Sequence, residues 1–373
     1  MAKKNIKSKR RNNEGSIAWD EFRQKWRASV TAPDGSRPQK RFDKWEDADA
    51  WLTVIKNSFI ENSYVPTDNI TVGQWVLKWL SVYKKPAVRP KTFIRYKQTA
   101  AHITPIAGIK LQDIATPDIQ EFLNNLHLSN NNKNKIYKQL VESFAKAKSL
   151  RMIKYNPMDD VPYITVPKPQ IEIFTWFEVR KIIGKLTLPK TPLYFKKYYP
   201  LILLALSTGM RLGEVLGLQT KSLNLARAEL YVCNSLQDVA GKLTDCPPKT
   251  DAGYRTLPLL PEVVNMLSQQ LNQRKLICMD GSEYVFQTHK GTPIYPKNLN
   301  RAWHKILEYC DVHYKTFHVL RHTYATEMME HAPVNEVAAK MGHADPSYTL
   351  KLYGHPIPGY VQAYLAKSES LIS

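Results

Sequence analysis

The sequence predicts a mostly α protein with small β elements, an α+β chain in three parts, and three observations carry that prediction. Apolar residues recur at helical spacing over most of 70–160 and much of 172–373. Short segments of alternating polarity next to turn residues occur near the N-terminus and around 228–259. Two stretches break the pattern, Asn62 to Asn69 and the prolines of Asn156-Pro157 and Val166-Pro167-Lys168-Pro169. The expected parts are therefore 1–62, 70–160 and 172–373. A chain of 373 residues with 43% hydrophobic content has enough apolar material for several cores.

The first part reads as a three-stranded sheet plus a helix. Trp26 to Thr31 alternates with period two, Ala32-Pro33-Asp34-Gly35-Ser36 is turn chemistry, and Gln39 to Phe42 begins the return strand. Trp45 to Ile55 is an amphipathic helix able to cover one sheet face, with Trp26 as core. Thirteen Lys/Arg against five Asp/Glu between Met1 and Lys44 leave a basic opposite face, with Arg27, Lys40 and Arg41 as candidate polyanion contacts. In the second part, Thr71 opens a helix carrying Trp75, Trp79, Leu80 and Tyr83, and others begin at Pro90, Thr116-Pro117 and Asn130. Lys91, Lys135 and Lys138 are its candidate phosphate contacts, against the plainer reading of a solvated helix face. The third part opens with helices at Thr175–Leu186 and Tyr198–Leu218. Strands follow at Ala228–Val232 and Arg255–Leu259, and helices resume from Pro261.

The charge narrows the partner. A formal net charge of +20 and a pI near 9.6 favour a polyanion such as nucleic acid, although ribosomal and membrane-surface proteins share this balance. The basic stretch Met1–Arg11 is followed by no apolar region, so a cytoplasmic protein without a secretory signal is expected. The longest apolar run, Tyr199 to Leu206, is far short of the roughly 20 residues that span a bilayer. Cys233, Cys246, Cys278 and Cys310 show no metal-ligand spacing, so reduced thiols and no metal are expected.

Chemistry concentrates toward the C-terminus. In Thr208-Gly209-Met210-Arg211-Leu212-Gly213-Glu214, Arg211 and Glu214 lie three apart on one helical face, and the planar guanidinium can grip two phosphate oxygens. His318 and Arg321 share a face in the same way. Lys249 lies in a turn between the two strands, His343 follows Met341-Gly342, and Tyr353 follows Lys351-Leu352. Each is weak alone: an Arg–Glu pair is more often a surface salt bridge, and a lone tyrosine is usually core.

Together the boxes TGMRLGEVLGL, PPKTDAGYRTLPL, FHVLRHTYAT and MGHADPSYTLKLYGH resemble, in order, those of the tyrosine recombinase or phage integrase family. The helical part resembles that family's core-binding domain. The N-terminal sheet resembles the arm-binding domain of integrases from phages and conjugative transposons of Gram-positive bacteria. The resemblance implies a site-specific recombinase that breaks and rejoins DNA through a 3′-phosphotyrosine on Tyr353, integrating and helping to excise a mobile element. It implies that Arg211 and Arg321 clamp the non-bridging oxygens, and that Lys249 protonates the leaving 5′-oxygen. His318 would assist deprotonation of Tyr353 or bond the phosphate, His343 would donate to the phosphate, and Glu214 would support them. It further implies double-stranded DNA with core and arm-type sites, a homotetramer on two duplexes, an accessory excision or DNA-bending protein, and no cofactor.

Alternatives stay open at this level. Lys242 competes with Lys249, and Tyr348 with Tyr353; His322 and His355 read as structural. The segment Tyr360–Leu365 is a short amphipathic helix that docks either on its own domain or on a neighbouring protomer. An inactive DNA-binding regulator and a type IB topoisomerase-like enzyme are the rival functions.

Overall fold

The computed structural model describes residues 15–61, 63–66, 68–167, 171–277 and 283–353. The basic run Met1–Arg11, Cys278, His355 and the segment Tyr360–Leu365 lie outside them. The chain divides into two compact units, Met1–Lys168 and Pro169–Ser373.

Two apolar clusters build the first unit. Strands β1 (Ser16–Asp20), β2 (Lys25–Ser29) and β3 (Gln39–Phe42) form an antiparallel sheet in that order, and helix α1 (Trp45–Ile60) covers one face. Ala28, Val30, Ala48 and Leu52 make the centre of this small core, with Trp26 and Phe42 packed against it. The expected strand, turn, return strand and helix are all present. Cross-strand partners share a sheet face, so the register Ala18↔Arg27↔Arg41 puts both arginines opposite α1. The register Ala28↔Lys40 instead sets Lys40 on the α1 side, its Nζ 5.5 Å from the centre of the Phe42 ring.

The second cluster gathers α2 (Val72–Trp79), α3 (Pro90–Ala101), α4 (Thr116–Asn125) and α5 (Asn130–Ser149) around Trp75, Trp79, Ile119, Leu140 and Phe144. Thr71 caps α2, its hydroxyl accepting from Gln74 N–H while the Gln74 side chain accepts from Thr71 N–H. The buried Trp75 indole donates to the Ser143 carbonyl at 3.0 Å, so this large core side chain leaves no polar atom stranded.

The second unit opens with α6 (Trp176–Thr187), capped by Thr175 and Glu178, then α7 (Leu193–Lys196) and α8 (Tyr199–Thr208). One continuous helix from Tyr198 to Leu218 was expected; the structure breaks it. Gly209 ends α8 in the left-handed region at φ +61°, and α9 (Leu212–Leu216) starts after Arg211. The expected strands also pair, β5 (Glu229–Val232) lying between β4 (Leu223–Asn224) and β8 (Arg255–Pro258). Between β5 and β8 the chain makes an additional hairpin, β6 (Ser235–Val239) with β7 (Lys242–Cys246). Its second strand is largely exposed and polar, so it carries little of the alternation that marks a strand. Helices α10 (Pro261–Ile277), α11 (Pro296–Tyr309), α12 (Val319–His331), α13 (Val334–Met341) and α14 (Pro346–Tyr353) complete the described unit. Its core runs from Leu201 and Ile202 of α8 to Trp303 of α11 and Leu320 of α12. No helix among the described residues is long and apolar enough to cross a membrane.

Candidate active site

Four separate segments of the second unit converge through their polar side chains. The α8–α9 break delivers Arg211 as the residue before α9, where its backbone N–H donates to Glu214 Oε2 at 2.9 Å and its Nη1 to Glu214 Oε1 at 2.8 Å. Its Nη2 also donates to the Gly342 carbonyl at 3.2 Å, which ties α9 to the end of α13. The Arg211 side chain is still 40% exposed, so the guanidinium can meet a ligand.

Glu214 is buried and held from its other side by Arg255 at the start of β8, Nη2 to Oε2 at 2.9 Å. Arg255 also donates to the carbonyls of Lys340 (2.6 Å) and Gly253 (3.0 Å). Burial opposes ionisation of Glu214, but the hydrogen bonds and charge of Arg255, with Arg211, outweigh it and hold the carboxyl below its ordinary range. The spacing of Arg211 and Glu214 gave this pair. Arg255 was missed, because a single arginine opening a strand carries no sequence signal of burial.

Arg321, on the first turn of α12, is only 3% exposed. Its Nη1 donates to the Gly209 carbonyl at 2.7 Å, and its Nη2 to the Met341 carbonyl at 2.6 Å. The guanidinium thus staples the last carbonyls of α8 and α13, groups that helix ends otherwise leave unpaired. Burial, with Arg211 nearby, pushes it down to about 9, which leaves it a cation at neutral pH. Its Nη2 lies 2.9 Å from His343 Nε2, while His343 Nδ1 is 2.8 Å from the hydroxyl of the buried Thr349. Burial first, then the charges of Arg321, Arg211 and Arg255, push the His343 imidazole down to about 4, so it is neutral at neutral pH.

Arg211, Lys249, His343 and Tyr348 line one open cleft of about 560 Å³. Lys249 is exposed, in the loop after β7, and Tyr348 is 53% exposed. Tyr353, only 6% exposed, lies deeper, on the last turn of α14. Its hydroxyl is 2.7 Å from Nδ1 of His322. Burial pushes the phenol up to about 12, against the pull of Arg321. His322 in turn meets His318, ring centres 4.7 Å apart at 86°, and His318 reaches solvent. Of the expected site residues, Arg211, Lys249 and His343 line the open cleft, Arg321 and Tyr353 lie deeper with Arg321 reaching His343, and His318 stands exposed beside His322. His322, read as structural in the sequence, is the neighbour that touches the phenol; its position four after His318 on one helix was the available signal.

The remaining candidates lie in the other unit. Lys91, Lys135 and Lys138 are exposed; Lys135 Nζ donates to Asn132 Oδ1 at 2.8 Å, and Lys138 Nζ is 6.0 Å from the Tyr163 ring centre. Arg27 and Arg41 share the open sheet face, where Arg41 pairs with Asp20 at 3.1 Å. Cys233, Cys246 and Cys310 are free thiols. Among the described residues, one trio has ligand atoms close enough for a metal, Glu327, Glu330 and His331, an ordinary polar group on the last turns of α12.

Comparison with known proteins identifies the family. The model of the Phage integrase family matches residues 174–358, and that of the phage integrase N-terminal SAM-like domain matches 71–127. A tyrosine recombinase XerC-like protein of Caldanaerobacter subterraneus is 28% identical over 346 residues, covering 84% of this chain and 86% of its own. The ICEBs1 integrase of Bacillus subtilis is 26% identical over 276 residues, covering 70% and 72%. Among solved structures, the Tn1549 transposon integrase in complex with a circular intermediate DNA superposes with a TM-score of 0.66 at 21% identity, covering 80% of this chain and 99% of that one. A lambda integrase tetramer bound to a Holliday junction gives 0.59 at 16% identity over 94% and 98%. The boxes, the fold and these matches agree, and the chain belongs to the phage integrase family of tyrosine recombinases.

Proposed function

We propose that the protein is a site-specific DNA recombinase that integrates a mobile element and helps to excise it. The observation that carries this reading is the meeting of Arg211, Arg321 and His343, from three distant segments, where the two guanidinium groups donate to the adjacent Gly342 and Met341 carbonyls and Arg321 reaches His343, beside a buried tyrosine. A cationic, preorganised pocket of this kind suits a phosphodiester, whose transition state gathers charge on its non-bridging oxygens. In the cleavage step the Tyr353 oxygen bonds to phosphorus, the bond to the 5′-oxygen breaks, and a 3′-phosphotyrosine and a free 5′-hydroxyl result. Lys249, exposed at the cleft, supplies the proton to the leaving oxygen. Arg211 and Arg321 carry the charge stabilisation, and the reaction takes no metal or cofactor. Rejoining runs the same steps with the 5′-hydroxyl of a partner duplex.

The sheet face bearing Arg27 and Arg41 supports arm-site binding by 1–62, the helices of 70–160 would hold the core site, and 172–373 would be catalytic. The lambda integrase tetramer bound to a Holliday junction supports a homotetramer on two duplexes, and an accessory excision or bending protein is proposed beside it. The test is a nicked suicide substrate carrying the candidate core site, with wild type and Tyr353→Phe compared on a denaturing gel. A covalent band in wild type alone is expected. Adduct from both proteins would move the nucleophile to Tyr348, and DNA binding without adduct from either would favour a regulator that keeps only the fold.

A further inference from the structure

We propose, resting on the recombinase reading above, that His322 is the catalytic base that takes the proton from Tyr353. Three observations carry it. The Tyr353 hydroxyl is 2.7 Å from Nδ1 of His322, a hydrogen bond poised for proton transfer. Tyr353 is 6% exposed, which keeps bulk hydroxide from serving as the acceptor. His318 packs edge-to-face against His322, ring centres 4.7 Å apart, which holds the His322 ring in place beside the phenol.

With Nε2 protonated, the bare Nδ1 of His322 accepts the phenol O–H. As the Tyr353 oxygen bonds to phosphorus, that proton passes to Nδ1, the bond from phosphorus to the 5′-oxygen breaks, and the leaving oxygen receives its proton from Lys249. Rejoining returns both protons, so the cycle closes without a co-reactant. Burial and the Arg321 charge hold the His322 imidazole below its ordinary value and therefore neutral, the form that accepts. Arg321 is a cation already committed to two carbonyls and cannot accept a proton.

The experiment uses the full chain in single-turnover cleavage of the suicide substrate. His322→Gln keeps a hydrogen-bond acceptor but cannot take a proton; cleavage is expected to slow by about 10²–10³-fold with DNA affinity unchanged. Placing 3,5-difluorotyrosine at position 353 gives a more acidic phenol that needs less help. It is expected to recover tenfold or more of the rate lost in His322→Gln, on the order of a Brønsted response, and little in the His318→Gln variant measured beside it. Wild-type rate in His322→Gln, a faster rate, or slowing that the acidic phenol fails to recover each overturns the assignment. So does recovery in His318→Gln, which reports independently of how well His322→Gln folds. A wild-type protein that forms no adduct on a verified site removes the recombinase reading itself, a result distinct from loss of the His322 step alone.

Discussion

Glu214 shows how one buried carboxylate sets the geometry of the guanidinium groups around it. Both of its oxygens are shared between Arg211 and Arg255, and the Glu214 and Arg255 side chains are 5% and 6% exposed. Removing one member of a buried ion pair leaves the other charge unpaired, at a cost of about 3–5 kcal/mol. Glu214→Ala should therefore lower the thermal midpoint by roughly 6–20 °C, read by differential scanning calorimetry, and should abolish cleavage below that midpoint because Arg211 loses its anchor. His343 adds a pH dependence. Its folded value, about 4 against an ordinary 6.5, is depressed, so between these the unfolded chain binds a proton that the folded chain does not. Stability should thus be fully present above 6.5 and fall as the pH drops toward 4. Glu214, also depressed, withdraws further stability as the pH falls through its folded value. Thermal midpoints between pH 7 and pH 4 check this, and His343→Asn should flatten the upper part of the slope.

At the scale of elements, the break between α8 and α9 matters most. Gly209 adopts φ +61°, and a Cβ there would stand 2.3 Å from the Tyr324 ring of α12, a distance that side chains do not tolerate. Its carbonyl receives Arg321, so the turn positions one guanidinium directly and launches Arg211 two residues later. Gly209→Ala combines a left-handed backbone penalty with overpacking, about 2–5 kcal/mol in sum. The expected result is a shifted urea midpoint with unchanged slope and a loss of cleavage larger than the loss of DNA binding. The α8–α9 boundary was invisible in the apolar spacing, which continues through Met210, Leu212, Val215 and Leu216. The glycine was visible, but its left-handed conformation is imposed by the packing of α12.

For the whole molecule, the charge of +20 and the separation into two compact units bear on DNA binding. Phosphate contacts release counterions, so a protein neutralising about six or more phosphates loses 10³-fold or more in affinity between 50 and 200 mM salt. That steep dependence is expected for the full chain on core-site DNA, measured by fluorescence anisotropy. Arg27→Ala and Arg41→Ala should leave it unchanged there and weaken binding only at the arm-type site. A salt-insensitive affinity would contradict a surface that works through phosphate contacts.

The amino-acid sequence by itself determined the helical character, the N-terminal sheet and its covering helix, and the order of the four boxes. These rest on local periodicity, turn chemistry and residue identity, which need no tertiary information. It also named Arg211, Glu214, Arg321, His343 and Tyr353, because the boxes that carry them resemble, in order, those of the tyrosine recombinase family. Only the tertiary structure decided which of them meet. Arg255 reaches Glu214 across 41 residues, Arg211 the Gly342 carbonyl across 131, and His322 the Tyr353 hydroxyl across 31. Burial, which sets the state of the phenol and of the imidazoles beside it, belongs to the packed molecule, since a side chain loses its water only when distant segments close over it.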